Sequence, residues 1–178
     1  GTISLQVQAL DSITVPAVPP DKLITAGKGI GAYTIGQSVA EVTSQLGPPT
    51  TISGGGKRPA MLVWTTGLHG YVDAIDPNNL LSLQIGDDPR FLTDKGIGFG
   101  SSRGAVLLAY GLTPTRGEGS GPDGARVNVL IYNDQGIAFA LASTGPLFVS
   151  GGGRAPVNTV VWVTVFPPGG AAEIFPPP

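Results

Sequence analysis

The sequence predicts an α+β protein of two tandem units, each a helix followed by a three-stranded β-meander (αβββ), with an antiparallel sheet and the helices on one face. The first reason is an internal repeat. Gly-x-Ser opens a stretch at Gly36 and again at Gly100, and each stretch closes eleven residues later, at Gly47 and Gly111. The second reason is composition, because 28 glycines and 17 prolines separate short apolar runs, as in proteins of short strands and many turns.

The repeat divides the chain of 178 residues into four parts. Residues 1–25 are predicted to be an N-terminal arm or linker, because prolines crowd its second half. Residues 26–93 and 94–166 are the two predicted αβββ units, and residues 167–178 are a proline-rich C-terminal tail. A unit of this size buries little surface by itself, so we expect the two units to share a core or to pack on each other.

The two predicted helices are residues 38–46 and 102–110. Ser38 is a good N-cap, and Glu41 completes a capping box, because each side chain can bond the backbone amide of the other residue. A glycine follows each segment, and glycine readily adopts the backbone conformation that ends a helix. Each helix is too short to be stable alone, so both are expected to lie on a sheet.

Strands are predicted where apolar and polar side chains alternate between turn residues. The first unit has three and the second unit has three more, at residues 60–65, 70–75, 80–85, 126–132, 137–142 and 158–166. Segments rich in glycine, proline or serine are predicted to be long loops, at residues 53–58, 115–125 and 150–155. Long loops on a rigid scaffold often carry binding residues.

Composition and charge exclude several classes of function. Charged residues make up 12% of the chain, the net charge is −2 and no basic patch is present, which argues against a nucleic-acid partner. No apolar run is long enough to span a membrane, so no transmembrane segment is predicted. The absence of cysteine rules out thiolate chemistry.

Gly96, Gly98 and Gly100 form only half of a dinucleotide fingerprint, so no cofactor is predicted.

The location is expected to be extracytoplasmic, that is periplasmic, secreted or lipid-anchored. The content of lysine is low, that of glycine and proline is high, and cysteine is absent, a combination that fits exported bacterial proteins. The chain begins at Gly1 instead of methionine, which fits the removal of a signal segment from it.

The pattern Gly-x-Ser-x-x-Glu-Val-x-x-x-Leu-Gly-Pro-Pro at residues 36–49 resembles the helix-to-strand unit of the SmpA/BamE-like and β-lactamase-inhibitory-protein-like superfamily. Residues 94–111 look like a unit that recurs in uncharacterised bacterial exported proteins. The resemblance implies a helix followed by a β-meander, present twice in tandem, in an extracytoplasmic scaffold that binds other proteins. The chain has no cysteine pairs and no matching inhibitory loop residues, so no activity is carried over.

Four aromatic residues on predicted strands are candidates for binding a partner: Trp64, Tyr71, Tyr132 and Trp162. Rigid aromatic side chains that face out of a sheet anchor protein interfaces and sugar platforms. Arg116 and Arg154, in two of the long loops, complete the predicted site. The predicted function is a non-enzymatic module, an envelope scaffold or an inhibitor, that binds another protein in the envelope or outside the cell. The alternative is a domain that binds a small molecule or a carbohydrate in the groove between the units.

Two further clusters have alternative interpretations. Close-spaced carboxylates can hold calcium, which makes a metal site of Asp87, Asp88 and Asp94 conceivable. The EF-hand pattern is missing and Arg90 offers a carboxylate partner, so a solvated linker is the favoured interpretation.

His69 is the only histidine, so a Ser–His–Asp triad must use it, with Asp73 or Asp76 as its partner. The chain contains no Gly-x-Ser-x-Gly elbow to supply the serine. We therefore expect His69 to lie in an exposed turn and the protein not to be an enzyme.

Overall fold

The computed structural model describes residues 17–54, 60–73, 77–120, 126–143 and 155–175. The strands of the first half are β1 (Leu23–Thr25), β2 (Gly29–Ile30), β3 (Tyr33–Thr34), β4 (Thr51–Gly54), β5 (Ala60–Val63), β6 (Leu68–Val72), β7 (Leu80–Gly86) and β8 (Leu92–Thr93). Those of the second half are β9 (Thr115–Ser120), β10 (Arg126–Tyr132), β11 (Ile137–Ala142) and β12 (Val160–Val165). The α-helices are α1 (Val39–Leu46), α2 (Arg103–Tyr110) and α3 (Ala171–Ile174), and 3₁₀ turns lie at Pro20–Lys22 and Asn133–Gln135.

Eight strands form one antiparallel sheet in the order β4-β5-β6-β7-β12-β11-β10-β9. Each half of this sheet is a meander of four consecutive strands, and the two meanders join where β7 pairs with β12. A second sheet has the order β3-β2-β1-β8, and its β1 and β8 are parallel. The two repeated units therefore share one continuous sheet.

The predicted α+β class, with αβββ units and helices on one face, is wrong, because the described part of the chain is mostly β. It contains twelve strands in two sheets, and its three α-helices have eight, eight and four residues. Each meander has four strands instead of three. The second sheet uses short strands of two or three residues, which are too short for any apolar alternation to be visible in the sequence.

The missed strands of the large sheet are its two edges, β4 and β9. The predicted loop at residues 115–125 covers all of β9, and the one at residues 53–58 covers the last two residues of β4. All four residues of β4 are exposed, and β9 carries Gly117 and Gly119. An edge strand needs no apolar face of its own, because pairing with its neighbour supplies its hydrogen bonds. Glycine in a strand weakens the local signal further. Both edge strands are nevertheless paired with their neighbours, Ile52 of β4 with Leu62 and Gly117 of β9 with Val129.

The two predicted helical segments are confirmed as α1 and α2, with their caps. The Ser38 hydroxyl accepts the Glu41 amide at 3.2 Å, and the Glu41 carboxylate accepts the Ser38 amide at 3.2 Å, which completes the capping box. In the second unit the Ser102 hydroxyl accepts the Ala105 amide at 3.2 Å. Such caps satisfy amides that have no partner within the helix.

The repeat also holds at the level of single hydrogen bonds. The Gly36 amide donates to the Leu80 carbonyl at 2.8 Å, and the Gly100 amide donates to the Val160 carbonyl at 2.8 Å. Leu80 and Val160 open the last strand of the respective meander, so each Gly-x-Ser motif ties the start of its helix to that strand. Gly-x-Ser is therefore a structural motif that positions the helix.

The two faces of the large sheet bury different apolar clusters. The inner face forms the main core, which α1, α2 and the second sheet also reach through Val42, Val106 and Ile24. The outer face carries a smaller cluster on β10, β11 and β12, against which Ala171 and Ile174 of α3 and the following Phe175 pack. Over β5, β6 and β7 the outer face belongs to neither cluster. No helix in the described ranges has the length and apolarity that a membrane crossing requires.

Candidate functional site

The candidate site is a groove of about 290 Å³ on the outer face of the large sheet, across the junction of the two meanders. Its lining is Met61, His69, Tyr71, Gln84, Glu118, Gly119, Val127, Val129, Ala140, Trp162, Thr164 and Phe175. Side chains of a strand alternate between faces, so His69 and Tyr71 on β6 point outward while Leu68 and Val72 fill the main core. We call this feature the outer groove.

The first meander supplies the polar side of the outer groove. The Tyr71 hydroxyl donates to Gln84 Oε1 at 2.9 Å, and His69 lies directly opposite Gln84 in the β6–β7 pair. His69 Nδ1 is buried and has no hydrogen-bond partner. Burial lowers the pKa of His69 although the charge of Asp87 acts to raise it, so the imidazole is neutral at pH 7. Burial likewise raises the pKa of Tyr71, which keeps its hydroxyl a donor.

The predicted position of His69 in an exposed turn is wrong, because the residue lies within β6 and is partly buried. The apolar alternation of this strand starts at Leu68, two residues earlier than predicted. Of the two carboxylates considered as its partners, Asp76 lies outside the described residues.

The second meander supplies the aromatic side of the outer groove. Trp162 on β12 lies opposite Gly86 on β7 and opposite Ala140 on β11. A Cβ on Gly86 would stand 2.0 Å from Trp162 Cδ1, so the indole occupies the space that a side chain there would take. Phe175, at the end of α3, packs on Phe166 with ring centroids 6.0 Å apart and also lines the groove. The groove therefore already receives an aromatic ring from a segment outside the sheet.

Two of the four candidate aromatics are core residues. Trp64 is 1% exposed and donates its indole N–H to the Gly47 carbonyl at 3.2 Å. Tyr132 is 7% exposed and donates its hydroxyl to the Gly111 carbonyl at 2.9 Å. Gly47 and Gly111 are the C-cap residues of α1 and α2, so each unit uses an aromatic donor to satisfy the end of its helix. Trp64 and Tyr132 have a structural role and do not reach a partner surface, whereas Tyr71 and Trp162 share the outer groove.

The two candidate arginines lie elsewhere. Arg116 is exposed on β9 and faces Leu130 of β10, which places it on the inner side of the sheet and away from the outer groove. Arg154 lies outside the described residues. The structure therefore does not bring Arg116 together with the aromatic candidates.

The three aspartates do not form a metal site. Asp88 forms an ion pair with Arg90 at 2.7 Å, and the Arg90 hydrogen bond lowers the pKa of that carboxyl. Asp94 is exposed, and Asp87 has a left-handed backbone with φ of 56° at the end of β7. Among the described residues, no three histidines or carboxylates come close enough to hold a metal ion.

Sequence reasoning missed Met61, Gln84, Thr164 and Phe175 as parts of the site. Gln84 was visible as the polar position of an alternating strand, and its neighbour in the sheet, His69, would follow from the correct register. Phe175 carries no such signal, because only tertiary packing brings the C-terminal segment onto the sheet.

Comparison with known proteins adds little to the geometry. No protein-family profile matches the sequence, and no curated protein matches it. One solved structure with a match is a cysteine-rich secretory protein from Staphylococcus aureus subsp. aureus Mu50, at a TM-score of 0.41 and 11% sequence identity. The match covers 83% of this chain and 48% of the other, so this chain spans about half the length of that protein.

Proposed function

We propose that the protein is a non-enzymatic module, located outside the cytoplasm, that binds another protein through the outer groove. The supporting observation is that Tyr71 and Trp162, one from each meander, are partly exposed in the same groove, on either side of the row that His69, Gln84 and Thr164 form across the sheet. Rigid aromatic anchors next to polar groups are the usual composition of the energetically dominant part of a protein interface.

The occupant we propose is a segment of the partner that inserts one apolar side chain. The groove volume of about 290 Å³ suits a single large side chain and lies at the lower limit for small-molecule sites, which run from about 300 to 1,000 Å³. Phe175 of the chain itself already enters the groove, which shows the kind of group that fits. The alternative, a carbohydrate or small molecule held between the units, would use the same aromatic surfaces in a groove at the lower limit of volume for such sites.

The test is affinity capture from envelope and secreted fractions of cells that make the protein, followed by titration with the purified captured protein. Tyr71→Ala and Trp162→Ala are each expected to weaken binding about 30-fold, as for an interface hot spot. Leu108→Ala is the matched control, because Leu108 is 89% exposed on α2, away from the groove. Equal affinity of all three variants would contradict binding at the outer groove. A captured protein that is found only inside the cytoplasm would contradict the proposed location.

A further inference from the structure

A second cavity lies on the inner side of the sheet, at the end of the molecule formed by β9, β10 and α2. It measures about 790 Å³, and it shares Glu118 and Val129 with the lining of the outer groove. Its described lining is Arg103, Arg116, Gly117, Glu118, Asn128, Val129, Leu130, Leu141 and Asn158. This volume falls within the range of sites that bind small organic molecules.

Strand register brings the polar lining of this cavity together. In the β9–β10 pair Arg116 lies opposite Leu130 and Glu118 lies opposite Asn128, so all four side chains share one face. Leu130 is 3% exposed and belongs to the main core, which identifies that face as the inner one. The edge strand therefore holds a cation and an anion over an apolar floor.

The helix side of the cavity adds a second cation. Arg103 is the first residue of α2, and its amide donates to the Asn158 carbonyl at 2.8 Å. Asn158 has a left-handed backbone, with φ of 62°, which asparagine tolerates better than most residues. This contact holds Arg103 beside Asn158 in the lining of the cavity, which Arg116 on β9 completes with the other cation.

The charges of the cavity are not neutralised in pairs. Among the described residues neither Arg103 nor Arg116 forms an ion pair, whereas Lys22 and Arg90 do. Two arginines against the single Glu118 leave one net positive charge in the lining. Guanidinium groups present a planar fork that matches carboxylate, sulfonate and phosphate groups.

We propose that this cavity binds a small organic anion, with one acid group held between Arg103 and Arg116 and an apolar body resting on Leu130 and Leu141. The two asparagines, Asn128 and Asn158, offer hydrogen bonds to polar atoms of that body. Glu118 and Val129 line both this site and the outer groove, but the two arginines and the two asparagines line this site alone, and all of its lining lies within the second unit.

The experiment is a fluorescence titration with anilinonaphthalene sulfonate, which has an apolar ring system and one sulfonate, against its uncharged analogue N-phenylnaphthylamine. Arg103→Gln and Arg116→Gln are each expected to weaken binding of the sulfonate about tenfold or more, because each loses a charge-assisted hydrogen bond. Binding of the uncharged dye is expected to stay nearly unchanged. Glu118→Gln is expected to tighten binding of the sulfonate about twofold to fivefold by removing a repulsion.

Lys28→Gln is the matched control, because it also removes one positive charge from an exposed position outside the cavity. Trp162→Ala distinguishes dye bound in the outer groove from dye bound in this cavity, because it alters only the outer groove. It is expected to leave the arginine-dependent binding unchanged. The proposal is overturned if either arginine variant binds the sulfonate like the wild type, if Lys28→Gln weakens binding equally, or if the uncharged dye loses as much affinity as the charged one. Unchanged thermal unfolding of the arginine variants will show that they remain folded.

Discussion

The strands β6 and β11 occupy equivalent places in the two meanders, yet at their centres the larger side chain points to opposite faces of the sheet. The centre of β6 presents Gly70 to the main core and Tyr71 to the outer face, whereas the centre of β11 presents Phe139 to the core and Ala140 outward. The equivalence is close, because the pairing of each strand with the next one shifts register at the same place, directly after Tyr71 in β6 and directly after Ala140 in β11. The two meanders therefore share a backbone arrangement but differ in which face of the sheet receives the larger side chain.

The difference follows from how each unit fills its core. A Cβ on Gly70 would lie 2.6 Å from Leu80 Cδ2 and 3.0 Å from Trp64 Cζ3, so Leu80 and the indole of Trp64 together cover the place where a larger side chain would stand. In the second unit Phe139 fills that place itself and meets Tyr110 with ring centroids 4.9 Å apart. With the core at Gly70 filled by Trp64, which follows β5, and by Leu80 of β7, the first unit has polar and aromatic groups on the outer face of β6. The second unit has alanines at the equivalent places on β11, near α3. The repeat conserves backbone pairing, and the function we propose lies where the side chains diverge.

The sharpest test of this comparison is removal of the group that fills each core. Trp64→Ala and Phe139→Ala are each expected to lower the free energy of unfolding by about 3–5 kcal/mol, because each leaves a cavity at a fully buried position. Denaturant unfolding measures the loss. Leu108→Ala is the control and is expected to stay within about 0.5 kcal/mol of wild type. A cost for Trp64→Ala that is no larger than that of the control would show that Trp64 does not replace the missing side chain at Gly70.

The next largest effect is expected at the junction of the two meanders. Gly86→Ala places a Cβ 2.0 Å from Trp162 Cδ1 and 2.7 Å from the Val161 carbonyl oxygen, so both the indole and the backbone at this point must shift, at a cost of about 1–3 kcal/mol. Gly104→Ala in α2 is the matched control, because its Cβ would meet nothing closer than 3.8 Å. This variant is expected to raise the free energy of unfolding by about 0.5–1 kcal/mol, because alanine favours a helix more than glycine does.

Acrylamide quenching reads the position of Trp162 in the same samples. Trp64 is 1% exposed, so the quenchable emission comes from Trp162 and is expected to rise in Gly86→Ala. A Gly86→Ala protein as stable as Gly104→Ala, with unchanged quenching, would contradict the close contact between Gly86 and Trp162.

The sequence predicted the features that neighbouring residues determine, namely helix starts and alternating strands. Ser38 with Glu41 marked the start of α1, and the alternation of β7, β10 and β11 marked the central strands. The class and the site depended on pairing between distant residues. Nothing near Trp64 or Tyr132 reveals that their donors bond helix C-caps 17 and 21 residues earlier, so their inward orientation was not predictable from their own strands.

The smallest expected effect is the pH dependence of stability that His69 causes. Its counterpart in β11 is Ala138, which does not titrate. Burial lowers the pKa of His69 in the folded state below about 6.5, so near that pH the unfolded chain binds the proton more readily. Stability is therefore expected to fall as the pH drops through about 6.5, and to stop falling below the folded pKa, where both states are protonated. His69→Gln is expected to lack this component.

A single histidine makes the measurement direct, because an NMR titration of the imidazole protons reports one pKa without assignment. A pKa above about 6.5 would show that the attraction of Asp87 outweighs burial, and the sign of the stability change would reverse. Since Nδ1 is buried without a partner, a groove ligand that donates a hydrogen bond to the imidazole stabilises its neutral form and lowers the pKa further. The same titration with the captured partner present therefore also tests whether His69 belongs to the interface of the first unit.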